Sequence, residues 1–197
     1  MNPVFDALAA VAVFADLFGG HSSAKAKAKK AKKQQQQQQQ QTRTTHDSAC
    51  NAIGAVNFVN THSADAAKVA ASLGVPTENI LGLSAEESQW GTGRVAIAAN
   101  NYFSQHAGPN IPYSIGSIPT LKDGRMSQFA SYYDSARSFA SKFSGVRGVS
   151  DPKDFAQTLV RIGFNSGNAA SGGRDDFVPY TTNIINLTKR RMSCSSQ

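Results

Sequence analysis

Two adjacent carboxylates, Glu86 and Glu87, are the side chains of this sequence best placed for acid–base chemistry, and its only tryptophan, Trp90, follows closely. On a helix that turns by about 100° per residue, Glu87 falls on the same arc as the apolar Ile80 and Trp90. Glu86 falls on the opposite face of that helix. We therefore expect Glu86 to point to solvent and Glu87 to face the core or the wall of a cleft.

Burial of Glu87 would change its acidity. A carboxylate that faces an apolar surface loses hydration, so its charged form is disfavoured and its pKa rises. A carboxylic acid that keeps its proton near neutral pH can act as a general acid. An ion pair with an arginine is an equally good interpretation of a lone buried glutamate.

The elements that must position Glu87 begin near residue 47. Residues 47–60 have helical spacing, Ser63 is a candidate N-cap for a second helix, and Gly74 would end that helix. After the Glu87 helix, the stretch 104–126 is rich in Gly, Pro and Ser and lacks helical periodicity. It is typical of a small β-hairpin lobe or a long loop.

The second half of the chain predicts three more helices. One begins at Asp134, and another begins at Asp151, which Pro152 follows. A Gly/Ser/Asn loop at 165–174 precedes a last helix over about 176–192. The fold class is therefore mainly α with a small β lobe, and a cleft between the two would have Glu87 at its floor.

The first 45 residues differ from the rest. Residues 1–20 contain an apolar run that is shorter than the roughly 20 residues that a bilayer requires and is interrupted by Asp6 and Asp16, so we do not expect it to span a membrane. We predict a short apolar helix there. An export signal is the alternative interpretation, and it would be an atypical one because no basic residue precedes the apolar run. Residues 21–45 contain alternating Ala and Lys and then eight glutamines, which predicts a Lys/Gln-rich disordered linker.

The positive charge lies mainly in this extension. The net charge is +7; residues 1–45 contain seven Lys/Arg and two Asp, which leaves 13 basic and 11 acidic side chains for the remainder. A nearly neutral domain argues against specific nucleic-acid binding. The basic run from Lys25 to Lys33 predicts a solvating tether or contact with an anionic surface, and nucleic-acid targeting by this tail is a third hypothesis.

Two cysteines, Cys50 and Cys194, flank the predicted domain. A disulfide between them and two free thiols are both compatible with the sequence. The four histidines are scattered and no Cys-x-x-Cys occurs, so the sequence predicts neither a metal site nor a cofactor.

Several motifs occur in a recognisable order. They are Glu-Ser-x-Trp-Gly at 87–91, Asn-Asn-x-Phe at 100–103 with Ser104 where glycine is usual, Phe-x-x-Tyr at 129–132, and a late helix at 155–164 followed by Tyr180. Through them, residues 48–192 resemble bacterial glucosaminidases of the flagellar-muramidase and autolysin type. The resemblance implies a lysozyme-like helical domain over 46–194 that acts on peptidoglycan glycan strands outside the cytoplasm, by an export route that the sequence leaves open.

The resemblance also implies an activity and a set of site residues. The activity is cleavage of the β-1,4 bond between N-acetylglucosamine and N-acetylmuramic acid, with Glu87 as the proton donor. The residues it assigns to substrate binding are Trp90, Asn101, Phe103, Tyr132 and Tyr180. A lytic transglycosylase, which also uses a single glutamate, and a glycan-binding module without turnover are the competing hypotheses.

The sequence departs from this family at the second carboxylate. An inverting glycosidase places a base about 6.5–9.5 Å from the acid. Between residues 104 and 134 the only candidate before Asp134 is Asp123, which also suits an Asp-Gly turn. Asp175 or Asp176 could supply the base instead, or the acetamido oxygen of the substrate could replace it.

Overall fold

The computed structural model describes residues 27, 30–39, 48–120 and 124–194, and the chain divides into two units, Met1–Thr45 and His46–Gln197. In the first unit, residues 30–39 are helical with exposed side chains, within the segment where the sequence predicts a disordered linker. The predicted apolar helix over 1–20 lies outside the described residues. Within the described part of the chain, no helix is long and apolar enough to cross a membrane.

The second unit is mainly helical, as the sequence predicts. Its α-helices are α1 (Ile53–Leu73), α2 (Thr77–Glu87), α3 (Arg94–Ala99), α4 (Tyr132–Lys142), α5 (Pro152–Arg161) and α6 (Phe177–Arg191). Short 3-10 helices occupy Ser144–Val146 and Ala169–Ser171. The predicted hairpin is confirmed: β1 (Gly116–Pro119) pairs antiparallel with β2 (Arg125–Gln128), with Gly116 opposite Gln128.

Helix α1 is a single helix where the sequence predicts two. Ser63 lies in its middle, and the Ser63 hydroxyl donates to the carbonyl of Val59. A serine can satisfy its hydroxyl on the preceding turn in this way, so it does not have to cap a new helix. The predicted end is confirmed, because Gly74 adopts the left-handed conformation (φ 66°) and its N–H bonds to carbonyls of the last turn.

Helix α2 is buried on every side, and this overturns the prediction of a solvent-facing side. All residues from Asn79 to Ala85 are buried, because α2 packs between α1 and α6. A Cβ added to Gly82 would lie 2.8 Å from the Cα of Ile185. Glycine therefore lets α6 approach the face of α2 that the periodicity assigns to water.

Side-chain caps fix the starts of α4 and α5. The Ser131 hydroxyl accepts a hydrogen bond from the Asp134 N–H, so α4 begins at Tyr132, two residues before the predicted start. Asp151 caps α5 as predicted, with its carboxylate accepting from the N–H groups of Lys153 and Asp154.

A disulfide joins the two ends of this unit. Cys50 and Cys194 are bonded, with their Cα atoms 5.5 Å apart, which decides between the two alternatives that the sequence leaves open. Beside it, Nε of Arg191 donates to the carbonyl of Ala49 at 3.2 Å. The Arg191 guanidinium lies 4.2 Å from the ring centre of Trp90, so the last turn of α6 is tied to the corner that follows α2.

Candidate active site

A left-handed corner follows Glu87 at the end of α2. Gln89, Trp90 and Gly91 have φ values of 53°, 57° and 78°. The Ser88 hydroxyl donates to the carbonyl of Ser84 at 2.6 Å and accepts from the N–H of Gly91 at 2.9 Å. Non-glycine residues adopt this conformation at an energetic cost, which the hydrogen bonds of Ser88 and a backbone bond from the Trp90 N–H to the Ala85 carbonyl at 2.8 Å help to offset.

Gly91 allows a close contact at the same corner. A Cβ on Gly91 would lie 2.9 Å from the Phe58 ring, so a larger residue there would displace this part of the core. The serine and the glycine of the Glu-Ser-x-Trp-Gly motif are therefore required for the backbone conformation of this corner, independently of any contact with substrate. Together they end α2 directly after Glu87.

Ser104 covers Glu87 from the other side. Its φ is 49°, a left-handed value that glycine adopts without strain, and its Oγ donates to the Glu87 carbonyl at 3.1 Å. The neighbouring Asn101 is buried and holds this loop. Its amide nitrogen donates to the carbonyls of Gln105 (2.8 Å) and Ser127 (2.9 Å), and its oxygen accepts from the N–H of Gln105.

Glu87 lines a cavity of about 320 Å³, which we call the Glu87 cavity. Its walls come from the loop after α3, the end of α4, the residues just after α5 and the loop before α6. The residues that line it besides Glu87 are Phe103, Ser104, Gln105, His106, Lys142, Phe143, Gly163, Phe164, Asn165 and Gly172. Among these described lining residues, Glu87 is the only carboxylate.

Burial raises the pKa of Glu87 from 4.5 to about 7, and the neighbouring charge of Glu86 acts in the same direction. The Ser104 hydroxyl beside the carboxyl group and the positive charge of Arg174 act in the opposite direction. The carboxyl group therefore keeps its proton to a higher pH than an exposed glutamate does. Such a group can give a proton to a leaving oxygen at pH 7.

The prediction that Glu86 points to solvent is wrong. Only 5% of its side chain is exposed, and one carboxylate oxygen lies 3.5 Å from the Arg174 guanidinium. Among the described residues, its other oxygen, Oε2, has no hydrogen-bond partner. Burial is the main cause that raises the Glu86 pKa. The Glu86 side chain therefore lies in the interface between α2 and the start of α6. Helical periodicity within α2 could not indicate this, because it does not show which other element covers that face.

Comparison with known proteins identifies the family. The family model for mannosyl-glycoprotein endo-beta-N-acetylglucosaminidase matches residues 63–191. This chain belongs to the glucosaminidase family. The resemblance inferred from the motifs is thus confirmed.

Solved structures share the fold of this glucosaminidase domain. A chain in a type VI secretion system effector–immunity complex from Pseudomonas protegens is 46% identical, with 74% of this chain and 99% of that chain covered and a TM-score of 0.67. A peptidoglycan hydrolase from Sphingomonas sp. A1 is 24% identical over 72% and 96% of the two chains, with a TM-score of 0.57. The glycoside hydrolase domain of FlgJ from Salmonella typhimurium is 19% identical over 68% and 88%, with a TM-score of 0.51. No curated protein matches this chain.

Among the described residues, the structure brings two of the predicted site residues to the Glu87 cavity. Phe103 lines it together with Glu87, but the Phe103 ring is buried and stacks on Phe139, with ring centres 4.8 Å apart, so the prediction that it contacts a sugar face is wrong. Trp90 packs on Phe58, with ring centres 6.0 Å apart, and Tyr132 is buried with its hydroxyl 2.9 Å from the Ser84 Oγ.

The remaining predicted residues lie elsewhere or outside the described part of the chain. Tyr180 is 40% exposed and stacks against Arg174, whose guanidinium lies 4.1 Å from the ring centre. Asp123, the candidate second carboxylate, is outside the described residues. Asp176 is paired with Arg174 at 3.0 Å, and Asp175 accepts from the N–H of Ala169 at 2.9 Å.

The sequence did not point to most of the cavity wall. Asn165 is an example: its side-chain oxygen accepts from the N–H groups of Gly167 (2.9 Å) and Arg174 (3.2 Å) and so shapes the loop before α6. The high Asn, Ser and Gly content of this loop was the only signal, and it indicates a turn rather than a cavity. His106 and Lys142 reach the cavity through tertiary packing, which no local pattern predicts.

Proposed function

We propose that this protein is a peptidoglycan hydrolase that cleaves the β-1,4 bond between N-acetylglucosamine and N-acetylmuramic acid, with Glu87 as the general acid. The observation that carries the proposal is the position of Glu87, a buried carboxyl group with a pKa of about 7 that lines the Glu87 cavity. Membership of the glucosaminidase family supports the chemical class. A peptidoglycan hydrolase of similar fold supports the polymer.

In the proposed reaction, the protonated Glu87 gives its proton to the glycosidic oxygen as the bond from that oxygen to the anomeric carbon breaks. Water then adds its oxygen to the anomeric carbon, and its surplus proton leaves to a base. Asp123 remains the proposed base of an inverting reaction. The acetamido oxygen of the substrate is the alternative, since it can attack the anomeric carbon first and be displaced by water with retention.

Four other residues are proposed to support this reaction without transferring a proton: Trp90, Asn101, Tyr132 and Tyr180. Asn101 holds the cavity loop through three hydrogen bonds to backbone groups. Phe103 is buried and stacks on Phe139, so its proposed role is to shape the wall of the cavity and not to stack on a sugar ring.

Action outside the cytoplasm is also part of the proposal. A disulfide such as Cys50–Cys194 persists in oxidising compartments. The 46% identical chain belongs to a type VI secretion system effector–immunity complex. Delivery by a secretion machine, and a protein inhibitor as partner, are the corresponding proposals for this chain.

Mass analysis of digested cell walls tests the proposed reaction. Purified sacculi treated with the full-length protein are expected to release fragments with reducing N-acetylglucosamine ends. Fragments with 1,6-anhydro ends would instead show a lytic transglycosylase. If sacculi bind the protein and release no fragments, the domain is a glycan-binding module.

The pH dependence of lysis should report the acid. Because Glu87 must be protonated, kcat/KM is expected to fall as pH rises through about 7. Ser104→Gly removes the hydroxyl that lowers the Glu87 pKa and keeps the left-handed backbone relaxed, so the fall in kcat/KM should move to higher pH. Ser114→Gly, outside the cavity, is the control that should leave the profile in place. If the pH profile of Ser104→Gly does not shift, a group other than Glu87 causes the fall in kcat/KM.

A further inference from the structure

A second cavity, of about 290 Å³, opens between α1, α4 and the segment before β1. It is lined by three cationic side chains, Lys68, Arg137 and Arg147, and by Tyr113 and Tyr133. None of the described residues that line it is acidic. We call it the Tyr–Arg cavity. The proposed hydrolytic reaction makes no use of it.

Arg137 lies against two tyrosine rings in this cavity. Its guanidinium carbon lies 3.9 Å from the ring centre of Tyr113 and 5.3 Å from that of Tyr133. Aromatic stacking covers the faces of a guanidinium, whereas its N–H donors lie along the edge. The nearest ion-pair partner, Asp134, is 3.7 Å away, longer than a direct hydrogen bond, and 40% of the Arg137 side chain is exposed. The donor edge of Arg137 is thus suited to bind a carboxylate in two-point fashion.

Tyr113 is the third residue of the turn at 111–114, in which the Ser114 N–H bonds to the Ile111 carbonyl at 3.3 Å, and this position of the turn takes a positive φ. Its φ is 60° and 44% of its surface is exposed, so a bulky side chain is held in the left-handed region without being part of the core. Glycine or asparagine is usual at this position of a turn, so the tyrosine has an energetic cost here and presents its ring to the cavity. Its contact with Arg137 places an aromatic ring and a cation side by side at the cavity mouth.

We propose that the Tyr–Arg cavity binds a carboxylate-bearing peptide, namely the stem peptide that substitutes N-acetylmuramic acid in peptidoglycan; this choice of ligand rests on the proposed function. The cations supply charge complementarity, and the tyrosines supply apolar contact for short side chains. Lys68 is paired with Asp65 at 2.9 Å and Arg147 donates to the Ser72 carbonyl, so Arg137 is the cation best placed to bind the ligand.

The position of the Tyr–Arg cavity relative to the Glu87 cavity fits this ligand. Both cavities border the C-terminal end of α4: Ala140 and Ser141 line the Tyr–Arg cavity, and Lys142 and Phe143 line the Glu87 cavity. A helix with its side chains is about 10–12 Å across. A path around half of its circumference is therefore about 16–19 Å, which an extended stem peptide of five residues, about 17–18 Å long, can span. A glycan in the Glu87 cavity can therefore extend its peptide around α4.

The size of the cavity favours a short peptide over a protein surface. About 290 Å³ is close to the lower end of small-ligand sites, which are concave. A stable protein partner would instead cover about 800 Å² of a flatter surface. An acidic protein is therefore an outcome that the experiment must separate from the stem peptide.

The experiment is a binding titration on the full-length protein, in which NMR chemical shifts report the binding. The probe is the pentapeptide L-Ala-γ-D-Glu-L-Lys-D-Ala-D-Ala, and the control is the same peptide with both carboxylates amidated. We expect shifts at Tyr113 and Arg137 with the free acid and at least tenfold weaker binding in Arg137→Gln. Arg190→Gln, an exposed position on α6, is the matched control and should bind normally. Thermal unfolding shows whether each variant is folded.

Several results would overturn the proposal. These are no binding, equal binding of the amidated peptide, or unchanged binding in a folded Arg137→Gln variant. Binding of long polyglutamate without binding of the pentapeptide would also overturn it, in favour of an acidic protein. The titration measures binding and needs no turnover. Its result can therefore be interpreted even if the protein does not hydrolyse peptidoglycan.

Discussion

Glu87→Gln is expected to lower the rate of sacculus lysis by about 10²- to 10⁴-fold, the range that a positioned general acid contributes. Glutamine has nearly the same shape and retains the polar contacts of the carboxyl group, but it cannot transfer a proton. Binding to sacculi should therefore remain near normal. Release of reducing ends and sedimentation with sacculi measure the two properties separately.

Two other carboxylates provide comparisons for this variant. Glu86→Gln removes the adjacent buried charge and the contact with Arg174, and we expect a smaller loss of rate because Glu86 does not line the Glu87 cavity. Asp123→Asn, with NMR analysis of the product anomer, separates an inverting base from assistance by the substrate. Lysis by Glu87→Gln at the wild-type rate would remove Glu87 from the mechanism.

The stability of Glu87→Gln gives an independent check on the environment of Glu87. The native protein keeps the proton up to about pH 7, whereas the unfolded chain releases it near pH 4.5. The favourable contribution of this proton is complete below pH 4.5 and is lost as pH rises through 7, by roughly 3 kcal/mol in the free energy of unfolding. A glutamine does not titrate, so the variant should show a smaller loss between pH 4.5 and pH 8.

Loss of the disulfide is the other change with a large expected effect. Cys50 and Cys194 are 144 residues apart, so their bond restricts most of the unfolded domain. The chain-entropy account gives about 5 kcal/mol for a loop of this length, and removal of native disulfides typically costs about 2–5 kcal/mol. We expect the double variant Cys50→Ser/Cys194→Ser to unfold on the order of 10 °C lower.

Reduction provides the control for the disulfide variant. A reducing agent should lower the melting temperature of the wild type to that of the double variant and leave the variant unchanged. A melting temperature that does not respond to either change would show that the contacts of Arg191 with Ala49 and Trp90 hold the two ends without the bond.

The fold was predictable where local chemistry determines it. Gly74 ends α1 because its left-handed conformation suits glycine, and Asp151 starts α5 because its carboxylate accepts from two N–H groups of the first turn. The hairpin followed from a stretch without helical periodicity. Ser63 misled because a serine hydroxyl can bond to the preceding turn as well as cap a new one.

The site was predictable only in part, because it depends on which elements meet. Periodicity placed Glu87 on a buried face, but it could not show that α6 covers the opposite face at Gly82 and buries Glu86 as well. The Glu87 cavity is closed by Phe143 and Asn165, which are far from Glu87 in sequence. Their own segments show only a helix end and a turn.

The bond between Cys50 and Cys194 makes the polypeptide from residue 50 to residue 194 a covalent ring. Mechanical tension applied between the N-terminal tail and the C-terminus would pass through the two sulfur atoms and bypass the helices. Drawn through a narrow pore, the oxidised ring would have to travel as a doubled strand. Threading in single file therefore requires the thiols to be reduced, and the ring can close only on the far side of the pore.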